Sequence, residues 1–224
     1  MKVLLPFLGV AAILVGAPIT LPNTGVGSVA GAAEANWRLR FCGASIAACA
    51  GAFSTPFETD LGAGFPSGFW LANDATSQWI SPQGNYSALG SDPEGFYQWQ
   101  LTFDLAGLNP ATASINFRVV SDDPFAGFAV NGNAVSGAIP GSGYTPFSSN
   151  IAVASGFVGG VNTFNLFVQN APPNGPNPTG IRVELTGNAD PFPVNPPNPN
   201  IPEPSTLALF SSGLLFLAWR RTRG

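Results

Sequence analysis

From Tyr97 to Leu105 the chain changes character at every step: Tyr97, Trp99, Leu101, Phe103 and Leu105 alternate with Gln98, Gln100, Thr102 and Asp104. A period of two puts one set on one face of an extended backbone and the other set on the opposite face. The run therefore reads as a strand with one buried side. The pattern recurs in Ile115, Phe117 and Val119 around Asn116 and Arg118, in Phe164, Leu166 and Val168 around Asn165 and Phe167, and in Ile181, Val183 and Leu185 around Arg182, Glu184 and Thr186. Shorter strands are expected over 37–41, 77–81 and 127–130. Asn131-Gly132-Asn133 follows the last of these as a hairpin signal, since asparagine and glycine accept the positive φ of tight turns. Gly159-Gly160 and Asp92-Pro93-Glu94-Gly95 punctuate in the same way. No part of the body shows a helical stripe with caps, and no repeat of fixed period is present, so the fold class is all-β and the architecture a β-sandwich.

The two ends have other characters. Lys2 precedes an apolar stretch from Val3 to Val15, and Ala30-Gly31-Ala32 or Ala33-Glu34-Ala35 offers a small-x-small cleavage site, so 1–35 reads as a secretory signal peptide. The distance from the apolar run to Ala32 is long, which leaves an uncleaved N-terminal helix as the alternative. The sandwich is then expected over 36–189. A proline-rich linker follows over 190–201, where polyproline II is favoured at about 3.1 Å per residue. Ala171–Pro178 has a similar composition and reads as a long loop between two strands.

In the last segment, 202–224, Pro202-Glu203-Pro204 is followed by an apolar run from Leu207 to Trp219 and then by Arg220, Arg221 and Arg223. Read as helix from Ser205 to Trp219, at about 1.5 Å per residue it reaches roughly 22 Å, short of a hydrocarbon core but able to span if its ends adapt. The arginines form a basic membrane stop and place the C-terminus on the cytoplasmic side. This triplet, apolar run and basic end, in that order, resembles the PEP-CTERM sorting signal of Gram-negative bacteria. The resemblance implies recognition by exosortase, a membrane-embedded cysteine transpeptidase. It also implies a transient inner-membrane anchor, removal of the tail, and delivery to the cell surface or the extracellular polymeric matrix, much as a GPI signal is an address that the mature protein loses.

The body carries a resemblance of its own. Ala72-Asn73-Asp74-Ala75-Thr76-Ser77-Gln78-Trp79-Ile80-Ser81-Pro82, Phe96-Tyr97-Gln98-Trp99, Ser121-Asp122-Asp123, Asn131-Gly132, Gly160-Val161-Asn162-Thr163-Phe164 and Gly180-Ile181-Arg182-Val183-Glu184 follow one another as in galactose-binding-like jelly-roll modules. The correspondence runs from about Phe69 to Asn188. It implies a sandwich of about eight strands, a fold that hosts carbohydrate-binding modules as well as modules without a ligand.

Absences narrow the chemistry. The chain has no histidine, and its one lysine is Lys2. The body therefore lacks Ser-His-Asp, Cys-His and Ser-Lys arrangements, Schiff-base chemistry and imidazole ligands, and no catalytic residue is assigned. A glycosidase needs two carboxylates about 5 to 10 Å apart. Glu58, Asp60, Glu94, Asp122, Asp123 and Glu184 are available, yet their spacing selects no pair. Asp122-Asp123-Pro124 reads as a turn. Asp122, Asp123 and carbonyls near Asn131 have the hard oxygens that calcium prefers, but no full ligand loop is visible and no metal ligand or cofactor is assigned. Between 36 and 200 four arginines stand against ten acidic residues, a balance that repels phosphate backbones and argues against nucleic acid. Cys42 and Cys49 are the two cysteines, expected to pair after export with a contribution of about 2 to 3 kcal/mol. Flat aromatic faces stack on sugar rings. Trp70, Trp79, Trp99, Tyr97 and Phe147 are expected mostly in the core, whereas Tyr86 and Tyr144, in glycine- and serine-rich loops, are the candidates for ligand contact.

The expected protein is an exported, non-catalytic surface or matrix component with a structural or adhesive role. Its expected partners are exosortase and the secretion machinery, an exopolysaccharide and, before processing, the membrane. A secreted glycosidase or lyase and a ligandless structural module are the alternatives.

Overall fold

Every alternating run forms a strand. The computed structural model describes residues 16–61, 68–84, 92–123, 125–135, 143–171 and 177–193. Its strands are β1 (Ala17–Pro18), β2 (Trp37–Gly43), β3 (Phe57–Glu58), β4 (Ile80–Ser81), β5 (Gly95–Asp104), β6 (Ser114–Asp122), β7 (Phe125–Val130), β8 (Asn133–Val135), β9 (Ile151–Val153), β10 (Val161–Asn170) and β11 (Gly180–Ala189). They form two sheets, ordered β3-β4-β11-β6-β9 and β2-β5-β10-β7-β8, and all pairs are antiparallel. The long ladders are β5 with β10, from Gly95↔Asn170 to Asp104↔Val161, and β6 with β11, from Asp122↔Gly180 to Ser114↔Asn188.

The inner faces are the apolar parities read from the sequence. Trp37 and Leu39, Tyr97 to Phe103 at alternate positions, Phe128 and Val130, and Phe164 to Val168 at alternate positions line one sheet. Ile115, Phe117 and Val119 meet them from the other sheet, with Ile181, Val183 and Leu185 beside. Phe117 stands edge-on to Phe128 at 5.2 Å and to Phe164 at 5.0 Å, so it ties the two sheets together. Such ring pairs contribute about 0.5–1.5 kcal/mol each beyond their buried area. Between β7 and β8 the turn is the one the sequence signalled, with φ of 51° at Asn131 and 79° at Gly132.

Three differences from the sequence reading have physical causes. The strand expected over 77–81 shortens to Ile80–Ser81 because Asp74 Oδ1 accepts the amides of Thr76 and Ser77 and holds a turn there. The strand expected over 37–41 runs on to Gly43, where Cys42 closes its disulfide with Cys49. The sandwich also takes up residues from Ala17 onward, whereas the sequence reading starts it at residue 36. That stretch shows no alternation because it bonds to β11 partly through side chains: Asn23 Oδ1 accepts the Leu185 amide at 2.8 Å and Thr24 Oγ1 the Val183 amide at 2.9 Å.

The apolar stretch 3–15, the membrane segment and arginines of the tail, and most of the 190–201 linker lie outside the described residues. Among the described residues no helix is long and apolar enough to cross a membrane. The sandwich is one compact unit that ends at Pro191.

Phe117 has 1 % exposure. Phe117→Ala should therefore lower unfolding stability by about 3–5 kcal/mol, read as a lower urea midpoint with an unchanged slope.

Candidate functional site

The outward parities of β6 and β11 build one continuous face. Along it the register sets Asp122 beside Gly180, Val120 beside Arg182, Arg118 beside Glu184, Asn116 beside Thr186 and Ser114 beside Asn188. The first two rungs are roofed by the loops that carry Trp70 and Trp79, and the following rungs are open. Covered and open halves thus share one ladder.

Between the roof and the ladder Trp70 and Trp79 pack on Val120 as a small second core, with Leu61, Leu71 and Phe147 against it. The two indoles stack at 4.1 Å with planes 26° apart, and Trp79 Nε1 donates to the Leu71 carbonyl at 2.7 Å. Gly180 is required beneath them, since a Cβ there would come within 2.8 Å of the Trp70 ring. Arg182 lies under this roof at 1 % side-chain exposure. A buried guanidinium is tolerable only when its charge is neutralised and most of its donors are engaged. Nε donates to Ser77 Oγ at 2.7 Å, Nη1 to the Ala72 carbonyl, and Nη2 pairs with Asp74 Oδ2 at 2.6 Å, with the Phe147 ring 5.1 Å away. Desolvation works upward on the Asp74 carboxyl, but the Thr76 amide, Arg182 and the Ser77 amide together hold it below the usual carboxylate range.

Past the roof a cleft of about 310 Å³ opens, at the small end of ligand clefts. It is lined by Asn23, Thr76, Asn116, Arg118, Asn150, Glu184, Leu185 and Thr186. Arg118 donates from Nε at 2.8 Å and from Nη2 at 2.5 Å to Glu184 Oε2, while Glu184 Oε1 accepts from Ser77 Oγ at 2.9 Å. The Arg118 guanidinium also lies 4.4 Å from the centre of the Phe147 ring. A half-exposed pair of this kind adds little stability, but the bonds fix the direction of both side chains. Exposed amides and a hydroxyl of Asn116, Asn150 and Thr186 surround it, so the cleft offers both donors and acceptors.

At the closed end Trp70 Nε1 donates to Asp122 Oδ2 at 2.5 Å, and the Asp123 carboxylate accepts the Ala171 amide at 2.9 Å. Burial pushes the Asp122 carboxyl up to about 7; the indole pulls it down, and the adjacent Asp123 pushes the same way as burial. Asp122 and Asp123 are neighbouring carboxylates of the kind weighed above, but Asp122 is held by the Trp70 indole and neither lines the cleft. Among the described residues no cluster of three or more His, Cys, Asp or Glu could hold a metal ion.

Of the residues named from sequence, Tyr144 is 43 % exposed, its carbonyl accepts the Leu71 amide at 2.9 Å, and it does not line the cleft. Tyr86, Pro202, Glu203, Pro204, Arg220, Arg221 and Arg223 lie outside the described residues. Trp70, Trp79, Trp99 and Tyr97 are buried. Sequence reasoning missed Asn116, Arg118, Glu184 and Thr186 as a group. Their outward parity was legible, but that the two strands are neighbours in this register was not.

Comparison with known proteins bears on the tail. Residues 200–223 match the PEP-CTERM protein-sorting motif. The motif marks an exported protein that exosortase sorts to the cell surface. No curated protein and no solved structure matches the chain. The PEP-CTERM tail thus names a route, and the sandwich is left to supply the activity.

The Asp122 shift carries a sign. An unfolded aspartate titrates near 3.9, so between about pH 4 and about pH 7 the folded chain keeps a proton that the unfolded chain releases, and stability falls as pH rises through that window. The melting temperature should drop between pH 5 and pH 8, and Asp122→Asn should flatten the drop. Equal slopes for both proteins would contradict the assignment.

Proposed function

We propose that this is a non-catalytic component of the cell surface or extracellular matrix of a Gram-negative bacterium, which holds a polyhydroxylated ligand, a strand of exopolysaccharide, in the cleft over β6 and β11. The observation that carries the reading is the lining of that cleft: amides, hydroxyls and an oriented Arg118–Glu184 pair on a rigid ladder. Neutral sugars present hydroxyl groups that both donate and accept, and such a lining answers them without a net charge to neutralise. Preorganisation on two paired strands keeps the entropy lost on binding small.

The strand order supports a galactose-binding-like jelly roll. The last eight strands divide as β4-β11-β6-β9 against β5-β10-β7-β8, so every successive pair except the β7–β8 hairpin crosses between layers, as in a jelly roll. The rival reading, a glycosidase or lyase, wants two carboxylates facing each other across the substrate. Among the described residues that line the cleft, Glu184 is the one carboxylate, and Arg118 engages it. The tail is read as a transient inner-membrane anchor that exosortase removes.

Affinity electrophoresis in gels containing the producer's own polysaccharide tests the cleft. The intact exported protein should be retarded, and Asn116→Ala or Thr186→Ala should weaken retention about tenfold, the loss of one or two hydrogen bonds to a ligand. Retardation unchanged by both substitutions would move the site elsewhere, and no retardation would leave a ligandless module. For the address, Ala at Pro202, Glu203 and Pro204 together should leave the protein in the membrane fraction with its tail intact. An unchanged surface location would sink the sorting reading.

A further inference from the structure

The chain between Gly16 and Asn36 has the composition of a leader's end, but it is built like part of a domain. β1 continues the pairing of β11, with Ala17↔Ala189 and Pro18↔Asn188, and the Ile19 amide donates to the Gly187 carbonyl at 2.9 Å. Ile19 then enters the main core at 6 % exposure. Asn23 and Thr24 continue the edge by accepting the amides of Leu185 and Val183, and the Thr24 amide returns a bond to the Val183 carbonyl at 3.2 Å. Thr24 also clasps the other side, since Oγ1 donates to the Gln78 carbonyl at 2.7 Å and its own carbonyl accepts the Gln78 amide at 2.8 Å. Thr24 has no exposed surface.

Further on, Gly31 and Ala32 exchange bonds with Glu58 of β3, each at 2.9 Å, and the Glu34 amide donates to the Pro56 carbonyl at 2.8 Å. Glu34, a residue of the expected cleavage triplet, is 1 % exposed. Its carboxylate accepts the Gly25 amide at 2.9 Å and the Asn36 amide at 2.8 Å.

The rest of the sandwich is shaped to receive this segment. A Cβ at Gly187 would lie 2.7 Å from Leu21 and 3.2 Å from Ile19, so β11 carries no side chain where the segment crosses it. Gly25, at φ +69°, passes so close to Gln78 that a Cβ would meet its Cβ at 2.6 Å. Cutting after Ala32 or Ala35 would bare this edge of β11 from Val183 to Ala189, take the acceptors from the Val183 and Leu185 amides and open the core around Ile19 to water. It would also remove Asn23 from the cleft.

We infer that the mature protein keeps residues 17–35 as a strap along β11 and β3, and that any leader peptide ends at or before Gly16. A leader of that size is at the short end of the usual range of about 15–30 residues. The strap has a second consequence, because the cleft is complete only when Asn23 is in place: its Nδ2 donates to the Thr76 carbonyl at 3.0 Å across the rim. Export processing upstream of the strap is therefore a condition for the site, although the inference itself does not rest on what the cleft binds.

The test is N-terminal sequencing and intact mass of the exported protein taken from the producing cells. A chain that begins at residue 17 or earlier, Met1 included, is the expected result. A chain that begins anywhere from 18 to 36 overturns the inference, because the strap would then be cut within or behind β1.

Discussion

Most of what this molecule can do depends on strand β11 having a partner along both edges. β6 pairs with it from Gly180 to Asn188, while the opposite edge is shared by β4 at Ile181 and by the N-terminal segment from Val183 onward. A strand in such a position has no exposed edge to template aggregation and little freedom to slip. Its inward residues, Ile181, Val183 and Leu185, are thereby held against the facing sheet. Its outward residues, Arg182, Glu184 and Thr186, are held in fixed order along one line.

That line explains the division of the outer face. A guanidinium cannot be buried without neutralising and hydrogen-bonding partners, and the turn at Asp74–Ser77 supplies them for Arg182. The same turn brings Trp79 down to stack on Trp70, which covers Val120 and closes over Asp122. Two residues along β11, Glu184 is shared between Ser77 under the roof and Arg118 in the open cleft. A single carboxylate so couples the closed half to the open one, and the orientation of Arg118 follows from packing that lies beneath the tryptophans.

Much of the fold was legible because burial on one side of a strand writes a period of two into the chain. Where satisfaction of the backbone comes from side chains instead, as at Asn23 and Thr24, nothing periodic is written and the segment reads as a leader. The candidate site was legible only in halves. Asn116 and Arg118 stand out as polar positions in one alternating run, Glu184 and Thr186 in another, but their meeting depends on pairing across a long sequence interval. Tyr144 is exposed in its loop, as its glycine-rich surroundings suggest, but exposure alone does not say whether a cleft lies beside it.

The sequence by itself determined the class of fold, the parity of every long strand, the disulfide of Cys42 and Cys49, and the address carried by residues 200–223. These are local properties, set by neighbours a few residues apart. Only the tertiary structure decided which strands became neighbours, which half of the outer face was roofed, and that residues 17–35 belong to the sandwich. Those outcomes turn on hydrogen bonds and packing between distant parts of the chain, for which a one-dimensional pattern holds no record.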